Sequence, residues 1–424
     1  MTAAMILGCS GPVLNEAERV FFESVRPWGF ILFKRNVESP EQVRALTTAL
    51  RETVARGDAP ILVDQEGGRV QRLGPPHWPR HPPAAAYLAA TNDPLAAREL
   101  ARLGARLMAH ELREVGITVD CAPVLDVPTL GAHAIIGDRA YGGDPDTVAQ
   151  LGRAVAEGLI AGGVLPVIKH IPGHGRAGAD SHHDLPVVEA SRDDLEAWDF
   201  APFRTLSDMP MAMTAHVVYP AIDRKQPATT SRKAVRLIRR ELGFDGLLMT
   251  DDLSMQALSG SIGERARASL LAGCDVVLHC NGKIDEMFEV AEAAPELKGR
   301  ARRRAEAALA RVAREAEPFD PASARARLDR ALAADYLVMA SWLAYLKSRL
   351  LLPRTERPKG EEPPAEQMAL ALAFRLQKLE AMRKAVDAIT DRPQLKRDVF
   401  TRGDPEATVI IPSDRIDASL YELM

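Results

Sequence analysis

The sequence predicts an α/β protein, a (β/α)8 TIM-type barrel followed by a separate, mostly α-helical C-terminal segment. Three observations carry this. Eight short apolar runs recur along the first 280 or so residues: Met5–Cys9, Gly29–Phe33, Ile61–Asp64, Ile117–Val127, Leu165–His170, Met211–Val217, Leu247–Asp251 and Asp275–His279. Amphipathic Ala/Leu/Arg/Glu stretches separate most of them, for example Pro40–Arg56, Pro94–Glu114, Pro145–Ala161 and Arg232–Leu242. Strands alternating with helices make a parallel sheet, and eight such units fit a closed barrel. An open doubly wound sheet is the alternative.

The third observation is where polar residues fall. Asp64, Asp126, Lys169, His170, His216 and Asp251 each stand at the end of an apolar run. In a barrel these ends converge on one mouth, where catalysis takes place. An open sheet would instead gather ligands near a single switch point.

After Lys298 the rhythm changes. The Arg/Ala/Glu-rich stretch Gly299–Glu317 reads as a surface helix, broken by Pro318 and Pro321. A second helix begins near Ala322 and is strongly apolar over Tyr336–Leu352. A Pro- and charge-rich linker (353–364), an Ala/Leu helix (366–389) and a polar tail come next. The expected division is 1–332 for the barrel and 333–424 for the helical unit.

Bulk properties exclude several classes. The net charge of −4 carries no global basic bias, so nucleic acid is not an expected partner. No run of 18 apolar residues appears, so no membrane partner is expected. The short apolar start, Met1–Cys9, lacks the charged and hydrophobic regions of a signal peptide. Cys9, Cys121, Cys274 and Cys280 show no CxxC spacing and read as reduced, buried thiols of a cytoplasmic protein.

Three motifs carry chemistry. The first is Lys169-His-Ile-Pro-Gly-His-Gly175, followed by Asp180-Ser-His182-His-Asp184; four of the ten histidines lie within the fourteen residues from His170 to His183. A neutral imidazole oriented by a carboxylate transfers protons near neutral pH, with Asp180 as orienter and His182 as carrier. A polar surface loop and a metal site are the alternatives, although no firm ligand spacing such as HExxH is present. The second is Thr250-Asp-Asp-Leu-Ser-Met255. Adjacent strand residues point to opposite faces, so one carboxylate faces the mouth, and Asp252 is expected to cap the next helix. The third is Asp64-Gln-Glu-Gly-Gly-Arg-Val-Gln-Arg72, a strand-end carboxylate with forked arginine donors, readable also as a structural turn.

Together with Ile136-Gly-Asp-Arg139 and Thr214-Ala-His216, these motifs resemble glycoside hydrolase family 3, in particular the β-N-acetylhexosaminidases of bacterial peptidoglycan recycling. The likeness covers roughly 300 residues. It implies a single-domain barrel, no cofactor, no metal and a covalent glycosyl-enzyme. Position by position, it implies Asp251 as nucleophile, His182 as acid/base with Asp180 orienting it, and Asp64, Arg72, Arg139, Lys169, His170 and His216 as substrate-binding residues. The implied substrate is a small glycan or muropeptide bearing β-linked N-acetylglucosamine on an anhydro-muramyl peptide. The segment Ala334–Pro353 resembles the kleisin of the chromosome-condensing complex, segregation and condensation protein A, with a weaker likeness to Met424. That likeness implies a fused fragment, and contact with the condensing complex through 333–424. A chromosome-segregation adaptor and a metal-dependent barrel hydrolase are thus the competing functions.

Overall fold

Eight strands are rich in Val, Ile, Leu and Met, and both of their faces are covered. In β1 (Ala3–Gly8), Met5 and Leu7 pack outward among the helices, while Ala4 and Ile6 join the barrel interior. Burial on both faces explains why the strands read as continuous apolar runs and not as alternating ones. The computed structural model describes residues 2–91, 93–129, 136–177, 185–312 and 316–333. Residues 334–424, with the predicted helical unit, its 353–364 linker and the kleisin-like likeness, lie outside the described residues.

The remaining barrel strands are β2 (Pro27–Leu32), β3 (Ile61–Val63), β4 (Val119–Asp120), β5 (Leu165–Ile171), β6 (Met211–Thr214), β7 (Leu247–Asp252) and β8 (Val276–His279), and a short antiparallel pair, Gln65–Gly67 with Val70–Gln71, stands apart from the barrel. Each pairs in parallel with its sequence neighbour, and β1 pairs with β8, so the sheet closes. This is the predicted barrel, not the open sheet. The run Ile117–Val127 is a strand only at Val119–Asp120. Beyond it Pro123 offers no N–H, and the chain keeps contact with β5 through single bonds, such as Leu125 N–H to Lys169 O at 2.7 Å.

The helices start where side-chain caps stand. Ser39 caps Pro40–Thr53, Asp93 caps Pro94–Glu114, Asp144 caps Pro145–Ala161 and Ser231 caps Arg232–Arg240. The first three carry Pro within the first turn, where its missing N–H costs nothing. Helix Gly299–Val312 departs from expectation. It is not a plain surface helix: Ala305 and Ala308 are buried and join Trp28, Leu165, Met211 and Leu247 in the interior cluster, closing the barrel at the end opposite the mouth. Ala305 and Ala308, three residues apart, make a flat face that fits this closure while Arg300, Arg302 and Arg303 stay outside. Among the described residues no helix is long and apolar enough to cross a membrane.

Candidate active site

The C-terminal ends of the strands surround a cavity of about 220 Å³ lined by Asp64, Glu66, Arg72, Arg139, Lys169, His170, His174 and Asp251, with Phe33 and Met255 among its apolar walls. A larger hollow of about 820 Å³ lies at the other end of the barrel, beside Gly299–Val312 and the starts of β6 and β7, away from this constellation.

One side of the cavity is a chain of alternating charges. The Lys169 ammonium lies 2.9 Å from Asp64 Oδ1 and 2.6 Å from Glu66 Oε1. Arg72 Nη2 donates to Asp64 Oδ2 at 3.2 Å. Arg139 grips Glu66 with two parallel bonds of 2.7 and 2.8 Å, the fork geometry that suits arginine. Burial alone would raise the Asp64 and Glu66 carboxyls. Lys169 together with Arg72 on Asp64, and Lys169 together with Arg139 on Glu66, outweigh it, so both stay below the ordinary range. Lys169 is only 2% exposed, yet the same two carboxylates hold its ammonium above the ordinary lysine value. Each group is thus ionised and fixed, with oxygens and N–H groups aimed at the cavity.

The other side is a histidine cluster. His170 Nδ1 lies 2.6 Å from Asp126 Oδ2, so a neutral ring keeps its proton on Nδ1 and leaves Nε2 as an acceptor. Asp126 Oδ1 also accepts the main-chain N–H groups of His170 (3.2 Å) and His174 (2.6 Å). A register shift between Lys169 and Ile171 in the β5–β6 pairing accompanies the placing of both Lys169 and His170 on the cavity.

Asp251 closes the floor. Its Oδ1 accepts the N–H of Asp252 at 2.8 Å. Burial would raise its carboxyl, but the imidazoles of His216 and His170, that N–H and the Lys169 ammonium hold it below the ordinary carboxylate value. Asp252 takes a different task. It binds the N–H and hydroxyl of Ser254 (3.0 and 2.5 Å) and the N–H of Cys280 (3.1 Å). It caps a turn, whereas the next helix, Ile262–Ala272, is capped by Ser261.

Six residues expected from the sequence, Asp64, Arg72, Arg139, Lys169, His170 and Asp251, therefore meet in one cavity. His216 does not line it. It is fully buried, its Nδ1 2.7 Å from Thr229 Oγ1 and its Nε2 3.0 Å from the carbonyl of Asp252. Both ring nitrogens are occupied, so it supports the Asp251–Asp252 backbone from behind and is not placed to hold substrate. Asp180 and His182 lie outside the described residues. Sequence reasoning passed over Glu66 and His174 as site members, and placed Asp126 at the mouth as a run-end carboxylate without giving it a role. Glu66 stands two residues after Asp64, a strand spacing that points both carboxylates the same way. Among the described residues no group of three or more His, Cys, Asp or Glu is arranged to hold a metal ion.

A closed barrel whose mouth offers fixed carboxylates, forked cations and an ionised carboxylate with no cation within bonding distance among the described residues defines an enzyme for a polar, hydroxyl-rich ligand. Comparison with known proteins sharpens this. The model of the glycosyl hydrolase family 3 N terminal domain matches residues 16–315, and the chain belongs to that family. A β-hexosaminidase of Alkalilimnicola ehrlichii is 43% identical over 284 residues, 65% of this chain and 80% of the relative. One from Bordetella avium is 40% identical over 309 residues, 70% of this chain and 87% of the relative. The crystal structure of NagZ from Neisseria gonorrhoeae in complex with N-trifluoroacetyl-D-glucosamine superposes with a TM-score of 0.68 at 33% identity, covering 79% of this chain and 97% of that one.

Proposed function

We propose that this β-hexosaminidase is a retaining exo-glycosidase that removes terminal β-linked N-acetylglucosamine through a covalent glycosyl-enzyme, acting in the cytoplasm on anhydro-muramyl peptides released from cell wall. The observation that carries the reading is Asp251: a carboxylate at a strand end, held below the ordinary carboxylate value, in a cavity also lined by Asp64, Glu66, Arg72, Arg139 and Lys169, whose charged groups suit a hydroxyl-rich ligand.

In the first step an Asp251 oxygen bonds to the anomeric carbon as the glycosidic C–O bond breaks. His182, held by Asp180, gives its proton to the departing oxygen. In the second step His182 takes a proton from water, the hydroxide oxygen bonds to the same carbon, and the Asp251–carbon bond breaks. Two inversions give net retention. Asp64, Arg72, Arg139, Lys169 and His170 hold the sugar, and Glu66 keeps Lys169 and Arg139 in place. The roles of Asp180 and His182 rest on the family resemblance of their motif.

Asp251→Asn should lower turnover of a chromogenic N-acetyl-β-glucosaminide by several powers of ten while sugar still binds. A fluorinated mechanism-based sugar should label a peptide at Asp251, and labelling at Asp252 would sink the assignment. His182→Ala should slow a disaccharide far more than an aryl glycoside whose leaving group needs no proton. Equal losses on the two would remove His182 from the acid role.

A further inference from the structure

His174 lines the catalytic cavity, is 5% exposed, and has no hydrogen-bond partner for either ring nitrogen among the described residues. Its main chain, by contrast, is clamped. Its N–H donates to Asp126 at 2.6 Å, its carbonyl accepts from Ala177 N–H at 3.1 Å, and the preceding carbonyl of Gly173 accepts from the buried hydroxyl of Tyr219. The ring is thus held in place by backbone contacts while its own polar atoms satisfy nothing. Buried polar atoms without partners are rare and destabilising, about 1–3 kcal/mol each. An apolar residue of the same shape would serve the fold better, so the imidazole answers to something outside the fold.

Its chemistry limits what that is. Burial drives the ring down to about 4, so at neutral pH it carries one N–H and one lone pair. An anion would demand donors only. A sugar hydroxyl gives one hydrogen and accepts another, matching a neutral imidazole. The ring lies 5.7 Å, centre to centre, from that of His170, in the same cavity that Asp64, Lys169 and Glu66 line.

We propose that His174 is a substrate-binding residue, whose ring nitrogens hydrogen-bond a hydroxyl of the bound hexosamine on the His170 side of the cavity. The assignment rests on the glycosidase reading above. Within it, His174 supplies a neutral donor and acceptor beside the ionic groups of the same cavity.

Calorimetric titration of N-acetylglucosamine into the full chain tests it without turnover. His174→Phe keeps the ring's bulk and should weaken binding roughly tenfold, the value of one net hydrogen bond. His174→Asn keeps a donor and an acceptor and should recover part of the loss. Thermal melting of ligand-free His174→Phe should be no lower than wild type, which a structural role for the imidazole would not allow. Unchanged affinity in His174→Phe beside a binding wild type would overturn the assignment alone. A loss of affinity that tracks a loss of melting temperature in both variants would overturn it too. Failure of the wild-type protein to bind the sugar would take the glycosidase reading down with it.

Discussion

Asp126 Oδ2 lies 2.6 Å from His170 Nδ1, and the partner oxygen of the same carboxylate holds the main chain of both His170 and His174. One buried side chain therefore sets a cavity-lining ring and the start of the segment that leads to Asp180 and His182.

Asp126→Ala should remove the ring's orienting partner and leave two buried N–H groups unpaired. A KM increase and a fall in kcat are both expected, with a stability loss of about 2–4 kcal/mol. Asp126→Asn should keep an acceptor and lose less stability. Denaturant unfolding and steady-state kinetics on the two variants check this.

Lys169→Met tests the ionic side. It leaves Asp64 and Glu66 buried with one cation fewer, and breaking a buried pair costs about 3–5 kcal/mol. Both carboxyls should then rise, because the ammonium is the strongest influence holding them down. Sugar affinity should fall, and unlike the wild type, the variant should regain stability on acidification toward pH 5.

Wild-type stability should fall as pH falls. Asp64, Glu66, Asp126 and Asp251 sit below their ordinary values of 3.8 and 4.5, burial being outweighed by cations and hydrogen bonds. Their contribution is complete above those values and is lost as pH drops through the lowered ones. His174 acts earlier. Burial lowers it from 6.5 to about 4, so between these values the unfolded chain binds a proton that the folded one refuses. The slope from that group is at most about 1.4 kcal/mol per pH unit. His216 and His279, also lowered by burial, act in the same direction as His174. Asp199 and Asp120 oppose the trend: burial raises Asp199 from 3.8 to about 6 and Asp120 well above 3.8, and their contributions are lost as pH rises through those raised values. Melting curves from pH 4 to 7 should show the net acid loss, and His174→Phe should flatten it above pH 4.

The fold and half of the site were legible for one reason: they are local. Apolar strand runs, caps such as Ser39 and Asp144, and polar residues at run ends are read a few residues at a time. What was missed is tertiary. Nothing near Ala305 and Ala308 in the chain says that they plug a barrel. His216 stands just past a strand, as a site residue would by position alone, yet Thr229 and the Asp252 carbonyl claim both its nitrogens. Asp126 is the converse case, a run-end carboxylate noticed by position, whose histidine partner lies 44 residues away.

Truncation after Leu332 should leave turnover and sugar affinity unchanged, because every cavity-lining residue among the described ones precedes it. The cut should not be made earlier. Leu328 is fully buried, and Arg325 pairs with Glu111 at 3.0 Å. Ending the chain at Val312 would strip that cover and should cost about 2–5 kcal/mol, the range for losing one large buried aliphatic side chain. Melting temperatures and activity of the two truncations separate these outcomes.

The pairing of β1 with β8 also dictates an order of events during synthesis. Met5, Ile6 and Leu7 find their partners at Val277, Leu278 and His279. The barrel's first strand thus waits for its last, and until then its edge is an open template for other chains. A pause in translation before residue 276 would prolong that exposure. Aggregation of nascent chains should accordingly respond to codon speed over the barrel's second half, even where the finished protein is unchanged.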